Sequence, residues 1–261
     1  MTLTAMAEKT LHRQYGIPEA INVGDHLIGL GYRLISMNAR DLDPGTVSDI
    51  LDRLAQAHQK LCEGQGAELR WQSTRQPCSP LDAMKIYALK TAPAFEAALY
   101  AGIRLAGPAE AYDQALSQFC RHVGVGFQIL NDLKDWHEHD GNKCVSGRDA
   151  EMAKPTLLLA LAFEAASAEQ RSQLMQWLSP DLPADHRTWQ LRQLYQALGV
   201  FRQAELLVEK CKARAEAIAD EIQPDPLRQL FYYLVDTILT PEHQAEPPPA
   251  VISLTLPAGV S

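Results

Sequence analysis

Apolar residues recur at helical spacing along most of this 261-residue chain. The clearest stripe follows the turn residues Asp43-Pro44-Gly45 and consists of Val47, Ile50, Leu51, Leu54, Ala57 and Leu61. These positions follow the i, i+3, i+4, i+7 pattern of one face of an amphipathic helix. A similar pattern from Ile17 to Ile35 contains Gly24, Gly29 and Gly31, which weaken a helix by propensity but permit close contact with another helix.

Apolar residues also recur at helical spacing between residues 82 and 239. This spacing predicts helices over residues 82–106, 109–136, 154–166, 168–177, 189–198, 201–222 and 226–239. No β-branched segment of useful length alternates with polar residues, as a strand would require. The sequence therefore predicts an all-α fold, a bundle of many antiparallel helices.

We expect one domain over residues 1–240, because the 46% hydrophobic composition supplies one large core. Beyond Pro241 the chain turns to Pro247-Pro248-Pro249 and small residues, a composition typical of a loose tail over residues 241–261. The apolar stretch from Val251 to Leu254 leaves a second interpretation, in which this tail docks on a neighbouring surface.

Charge and cysteine content narrow the functional classes. A net charge of −8 and a pI near 5.5 argue against nucleic-acid binding, so an anionic substrate is expected to need a metal ion. The five cysteines are scattered and odd in number, which favours a reducing compartment over a disulfide framework. With no signal core and no run of about 18 apolar residues, the sequence predicts a soluble cytoplasmic protein without a transmembrane segment.

The densest polar cluster ends the predicted helix 109–136. Asn131 and Asp135 are i, i+4 neighbours, Asp132 lies at i−3 from Asp135, and Gln128 stands one turn earlier. Oxygen ligands at this spacing suit Mg²⁺, which commonly bridges one or two carboxylates to substrate phosphates. The alternative is a helix end whose acidic side chains are solvated.

Basic residues that suit a phosphate group occur at Lys90, Lys143 and Lys154, with hydroxyls at Thr91 and Thr156. Lys90 is the best inward candidate, since it lies in an apolar stretch just before Pro93, which we expect to kink the helix. Surface exposure is the alternative for each lysine. Lys85 and Tyr87 are interpreted as ordinary surface neighbours. Gly64-Gln65 offers an amide near the end of the second helix, with Glu68 one turn further, but a turn and a solvated acid explain these residues equally well.

Five segments, in this order, resemble the trans-isoprenyl diphosphate synthases, also called the polyprenyl synthetase family. They are Tyr15-Gly16 with Ala20-Ile21-Asn22-Val23-Gly24-Asp25, Glu63-Gly64-Gln65, Lys90-Thr91, Gly126-Phe127-Gln128-Ile129-Leu130-Asn131-Asp132-Leu133-Lys134-Asp135, and Lys154-Pro155-Thr156. The resemblance implies a helical bundle around a deep cavity. It also implies head-to-tail condensation of an allylic diphosphate with isopentenyl diphosphate, with magnesium ions assisting departure of the diphosphate.

The resemblance also assigns roles by position. It implies that Lys90, Thr91 and Gln128 are catalytic residues on the allylic side, and that Asn131, Asp132 and Asp135 form the second aspartate-rich, metal-binding motif. Diphosphate binding is expected from Lys90, Gln128, Lys143 and Lys154. The first position of that motif is Asn131, a neutral ligand expected to bind Mg²⁺ less strongly than an aspartate.

The family's first aspartate-rich motif is expected before Tyr15-Gly16, where the sequence shows no aspartate. The leading hypothesis is therefore a prenyltransferase that needs a missing N-terminal part or a partner subunit, and that is weak or inactive as an isolated chain. The alternative is a non-catalytic regulatory or prenyl-binding subunit of a prenyl diphosphate synthase. Either function predicts a homo- or hetero-oligomer, because the helices that would close one side of the bundle are absent.

Overall fold

A computed structural model describes residues 10–74, 76–137, 156–178 and 184–240. This part of the chain contains α-helices, two short 3₁₀ turns and no β-strand, which confirms the all-α prediction. The helices are α1 (Leu11–Gln14), α2 (Ile17–Met37), α3 (Pro44–Thr74), α4 (Pro80–Ala106), α5 (Asp113–His137), α6 (Leu157–Ala165), α7 (Ala168–Trp177), α8 (Ala184–Ala197), α9 (Val200–Asp220) and α10 (Asp225–Leu239). None of these helices is both long enough and apolar enough to cross a membrane.

Helices α3, α4, α5 and α9 form the body of the bundle, with α4 packed between α3 and α5 and α9 packed on the other side of α5. Helix α4 begins where the hydroxyl of Ser79 accepts a hydrogen bond from the backbone N–H of Asp82 at 3.1 Å. It continues through Pro93, which is buried inside the helix. Thr91 is therefore held against the neighbouring helix rather than at a helix end.

Two glycines set the spacing of the central helices. A Cβ atom at Gly64 of α3 would lie 2.5 Å from the backbone nitrogen of Lys90 in α4. A Cβ atom at Gly124 of α5 would lie 2.8 Å from the backbone nitrogen of Ala92. Only a residue without a side chain permits these approaches, so both glycines bring their helices close to the part of α4 that carries Lys90 and Thr91.

The apolar core has two parts. One surrounds α6, where every residue from Leu157 to Phe163 is buried, and includes Trp71, Ile129 and Trp136. The other lies between α4, α5, α9 and α10, where the rings of Phe119 and Phe231 are tilted by 43° to each other at a centroid distance of 4.3 Å. On α4, Lys90 and Thr91 lie between Tyr87 of the first core and Ala92 of the second, whereas the acidic end of α5 lies beside the first core.

An ionic cluster joins α3, α4 and α5 away from the candidate site. The guanidinium of Arg53 donates to Glu96 at 2.8 Å and to Asp113 at 2.5 Å, and it lies 4.2 Å from the centroid of the Tyr100 ring. Glu96 is buried, so its charge depends on Arg53 for compensation. This cluster fixes the relative position of the three helices at one end of the bundle.

Helix α2 is 21 residues long, yet none of its residues is buried. Ile21, Leu27 and Leu34 are about 60% exposed, at 60%, 58% and 63% respectively. Its link to α3 includes a hydrogen bond between the Tyr32 hydroxyl and Nδ1 of His58 at 3.0 Å. The close helix contacts predicted for Gly24, Gly29 and Gly31 are not found within the described residues, where a Cβ atom would meet no atom within 4 Å.

The structure corrects the sequence interpretation at two places in the central helices. Gly64-Gln65 lies inside α3, which runs on to Thr74, so the turn expected there is wrong. Tyr87, interpreted as a surface neighbour of Lys85, is only 2% exposed, whereas Lys85 is exposed as expected. The tail at 241–261, together with Lys143 and Lys154, lies outside the described residues.

Candidate diphosphate-binding site

Lys90 of α4 points towards α3 rather than towards solvent. Its ammonium Nζ lies 2.9 Å from both carboxylate oxygens of Glu68, one turn beyond Gly64. The Lys90 and Glu68 side chains are 16% and 8% exposed, so the pair is largely shielded from water. The prediction that Lys90 faces inward is consistent with this position, and Glu68 is not the solvated acid considered as one interpretation.

Thr91 and Gln128 are 37 residues apart in sequence and in contact in the fold. The side-chain amide of Gln128 donates to the hydroxyl of Thr91 at 2.7 Å, across the α4–α5 interface. The close approach at Gly124, one turn before Gln128, makes this contact possible. Two of the three residues that the resemblance assigns to the allylic side therefore share one hydrogen bond.

Asp132 is buried at 5% exposure and joins three helices. Its Oδ2 accepts a hydrogen bond from the Tyr87 hydroxyl at 2.5 Å and one from the backbone N–H of Leu157 at 3.2 Å. The Leu157 N–H also donates to the Tyr87 hydroxyl oxygen at 2.8 Å. The side chain of Thr156 caps the same end of α6, where it accepts from the N–H of Leu159 at 3.3 Å.

Electrostatics explain why Tyr87 acts as a donor here. Burial, followed by the charge of Asp132 and the hydrogen bond to it, raises the pKa of Tyr87 well above its ordinary value. The hydroxyl therefore keeps its proton and donates a hydrogen bond to the carboxylate. Burial and the same Asp132 charge also raise the pKa of Tyr195.

The three residues of the predicted metal motif have different environments. Asn131 is exposed, Asp135 is half-buried and Asp132 is buried, so the interpretation of solvated acids fails for Asp132. Two carboxylates and an amide oxygen on consecutive turns are the hard oxygen donors that Mg²⁺ takes, and in that respect the residues fit the ion. Within the described residues, no group of three or more His, Cys, Asp or Glu side chains is close enough to hold a metal.

Sequence reasoning missed two residues of this region. Tyr87 carried no signal, because its partner Asp132 lies 45 positions away. Glu68 carried a weak signal, since it follows Gly64 by one helical turn, and a glycine inside an apolar stripe indicates close approach to a neighbouring helix. Of the predicted diphosphate ligands, the structure describes Lys90 and Gln128, while Lys143 and Lys154 lie outside the described residues.

The fold is similar to that of solved isoprenoid synthases. A geranylgeranyl pyrophosphate synthetase from Pyrococcus horikoshii superposes with a TM-score of 0.79 at 24% identity, covering 92% of this chain and 72% of that one. A geranylgeranyl pyrophosphate synthase from Corynebacterium glutamicum, complexed with isoprenyl diphosphate and magnesium, gives a TM-score of 0.75 at 19% identity, covering 89% and 66%. At these identities the similarity establishes the fold alone.

Sequence comparison finds relatives that are named as isoprenyl or geranylgeranyl diphosphate synthases. A geranylgeranyl diphosphate synthase from Methanosarcina mazei is 29% identical over 59% of this chain and 47% of its own length. A short chain isoprenyl diphosphate synthase from Methanothermobacter thermautotrophicus is 25% identical over 90% of this chain and 71% of its own length. Against the Methanosarcina relative and a second one from Geoglobus acetivorans, the matched region spans about half of the relative's length.

The model of one protein family, described as polyprenyl synthetase, matches residues 7–198. This range includes all five segments that carry the resemblance and the whole of α1 to α8. Because the match covers well over half of the sequence, this chain belongs to the polyprenyl synthetase family.

Proposed function

We propose that this chain supplies the allylic-diphosphate side of a prenyltransferase site for head-to-tail isoprenoid chain elongation. One observation supports the proposal: Gln128, one turn before Asp132 in α5, donates a hydrogen bond to Thr91, which directly follows Lys90 in α4. A cation, a hydroxyl and an amide are groups that can hold a diphosphate by charge and hydrogen bonds. The substrates would be isoprenyl diphosphates, a class also named in the relatives' descriptions.

The proposed metal is Mg²⁺, held by Asp135, Asp132 and the amide oxygen of Asn131. When bound, the ion would neutralise charge on the departing diphosphate. Oδ2 of Asp132 already accepts two hydrogen bonds in the core, whereas Asp135 is only half-buried and is therefore the more accessible of the two carboxylates. Lys90 would donate a hydrogen bond to the diphosphate, and Lys143 and Lys154 from the segment between α5 and α6 would add positive charge.

The proposal includes a complementary part that covers α2, either a further N-terminal segment of the same protein or a second subunit. A helix with exposed Ile21, Leu27 and Leu34 leaves a large apolar surface in water, which soluble proteins rarely tolerate. Gly24, Gly29 and Gly31 leave open space there, where another helix could approach closely. We propose a homo- or hetero-oligomer in the cytoplasm, a compartment that suits the free thiols of Cys62, Cys78, Cys120 and Cys211.

A second candidate is a non-catalytic subunit that regulates a prenyl diphosphate synthase or binds a prenyl chain. It is favoured by Asn131, which puts a neutral residue at the first position of the acidic motif, and by the exposed face of α2. Such a subunit would bind a synthase through α2 and would not need Mg²⁺ at α5. Both candidates predict weak turnover from the isolated chain.

Native mass spectrometry followed by calorimetric titration separates the two candidates. The titrant is a non-hydrolysable allylic diphosphate analogue, added with and without Mg²⁺. For the prenyltransferase site we expect magnesium-dependent binding that Asp135→Asn weakens about tenfold or more, because a carboxylate ligand is lost. Lys90→Met should weaken binding as well, whereas Lys85→Met, which removes an exposed lysine of the same helix, should not.

Two outcomes of these measurements would contradict the proposal. A folded chain that does not bind the analogue, either with or without Mg²⁺, contradicts the diphosphate site and favours the regulatory candidate. Robust turnover from the isolated 261-residue chain would contradict the need for a complementary part. Asp132→Ala is a poor choice here, since it also removes the acceptor of Tyr87 and of the Leu157 N–H.

A further inference from the structure

The ion pair between Lys90 and Glu68 has a consequence for the proposed site. Both oxygens of Glu68 lie 2.9 Å from Nζ of Lys90, and the side-chain amide of Gln65 donates to Oε2 of Glu68 at 3.2 Å. The carboxylate is therefore bound on both oxygens and only 8% exposed. Two of the three donors of the ammonium are directed at Glu68, so the charge of Lys90 is already balanced.

A diphosphate that approaches Lys90 also meets the negative charge of Glu68. In a partly dehydrated site this repulsion is only weakly screened by water, and it opposes much of the attraction of Lys90 for an anion. A diphosphate that carries a divalent cation brings its own positive charge and avoids this penalty. The geometry thus distinguishes the free anion from its magnesium complex.

We propose that Glu68 is a specificity-determining residue that makes diphosphate binding at Lys90 depend on a divalent cation. Its carboxylate holds the ammonium of Lys90 in position and suppresses binding of the metal-free anion. This inference rests on the proposed function, because it requires that Lys90 face a diphosphate. It adds a residue of α3 to a site otherwise built from α4 and α5.

The test is calorimetric titration of the full 261-residue chain with inorganic pyrophosphate, first in excess EDTA and then in excess Mg²⁺. The wild-type chain should bind weakly in EDTA and much more tightly with Mg²⁺. Glu68→Gln removes the charge and keeps the shape, so metal-free binding should tighten about tenfold and the enhancement by Mg²⁺ should shrink. Glu68→Asp keeps the charge and should keep the dependence on Mg²⁺.

Glu96→Gln is the matched control, since Glu96 is another buried carboxylate paired with a cation, in this case Arg53. It should leave pyrophosphate binding unchanged in both conditions. A folded Glu68→Gln chain that binds metal-free pyrophosphate no better than the wild type overturns the inference. So does a wild-type chain that binds pyrophosphate equally well in EDTA and in Mg²⁺, a result that needs no variant to fold.

Failure of the inference and failure of the proposed function give different results. If the wild type binds magnesium pyrophosphate but Glu68→Gln behaves like the wild type, the diphosphate site stands and the role of Glu68 is refuted. If the wild type binds no pyrophosphate in either condition, both are refuted. If Glu68→Gln does not fold, Glu68→Met, a second neutral variant of similar volume, takes its place: tighter metal-free binding supports the inference, and metal-free binding equal to that of the wild type overturns it.

Discussion

The hydroxyl of Tyr87 donates to Oδ2 of Asp132 at 2.5 Å, and this contact connects α4 to α5 inside the core. The backbone N–H of Leu157 donates both to the hydroxyl oxygen of Tyr87 and to Oδ2 of Asp132, and these bonds connect the start of α6 to the same two side chains. The acidic end of α5 therefore has a fixed position relative to the helix that carries Lys90. These hydrogen bonds within the protein fix the position of the Asp132 side chain.

Tyr87→Phe should lower the free energy of unfolding by about 1 to 3 kcal/mol, because Asp132 loses a donor in a buried site and the Leu157 N–H loses an acceptor. Chemical denaturation measures the loss. Asp132→Asn removes the charge of the acceptor and should cost a similar amount, and the double variant should cost less than the sum of the two, since both changes act on the same hydrogen bond. Additive losses would contradict a direct coupling. Tyr100→Phe, at a buried tyrosine of the same helix, is the control for loss of a hydroxyl.

Gly64→Ala should destabilise the chain by about 3 kcal/mol, because its Cβ atom would lie 2.5 Å from a backbone nitrogen that cannot move independently of α4. Thermal unfolding measures this effect. Gly66→Ala is the matched control two residues away in the same helix, where a Cβ atom meets nothing within 4 Å. It should stabilise by roughly 0.5 to 1 kcal/mol through helix propensity. A neutral Gly64→Ala would mean that α3 and α4 are not in close contact at Lys90.

Arg53→Met should lower stability by about 2 kcal/mol, since it leaves the buried carboxylate of Glu96 without its cation while keeping most of the side-chain volume. The value is below that of a fully buried pair because the Arg53 side chain is 19% exposed and Asp113 is 46% exposed. Arg202→Met removes an exposed arginine with acidic neighbours and should change stability by less than about 0.5 kcal/mol. Equal effects of the two variants would show that the Arg53 cluster contributes no more than a surface pair.

The sequence predicted the helices well where one apolar stripe decides the structure. The predicted helices at 82–106 and 168–177 differ from α4 and α7 by at most two residues. It failed at Gly64, because a glycine pair resembles a turn locally, whereas the close approach to Lys90 is a property of the packed helices. The predicted surface position of Tyr87 was wrong for the same reason, since its partner Asp132 lies 45 positions away in the sequence. A shared location of Thr91 and Gln128 on the allylic side was expected only through the family resemblance, because helical periodicity does not say which helices are neighbours.

The thiols of Cys62 and Cys120 should react at very different rates, which tests the burial of the second core. Cys62 is exposed on α3, whereas Cys120 is fully buried on α5, where burial and then the charge of Glu96 raise the pKa of its thiol. Because the thiolate is the reactive form, Cys120 is protected both by exclusion of the reagent and by its protonation.

In a Cys144→Ser background, a thiol reagent at pH 8 should label Cys62 within the mixing phase and Cys120 only as fast as the chain unfolds. Peptide mapping by mass spectrometry assigns each modification, and Cys62→Ser should abolish the fast phase. Addition of denaturant should accelerate labelling of Cys120 in step with global unfolding. Fast labelling of Cys120 in native buffer would contradict the packing of α5 between α4, α9 and α10.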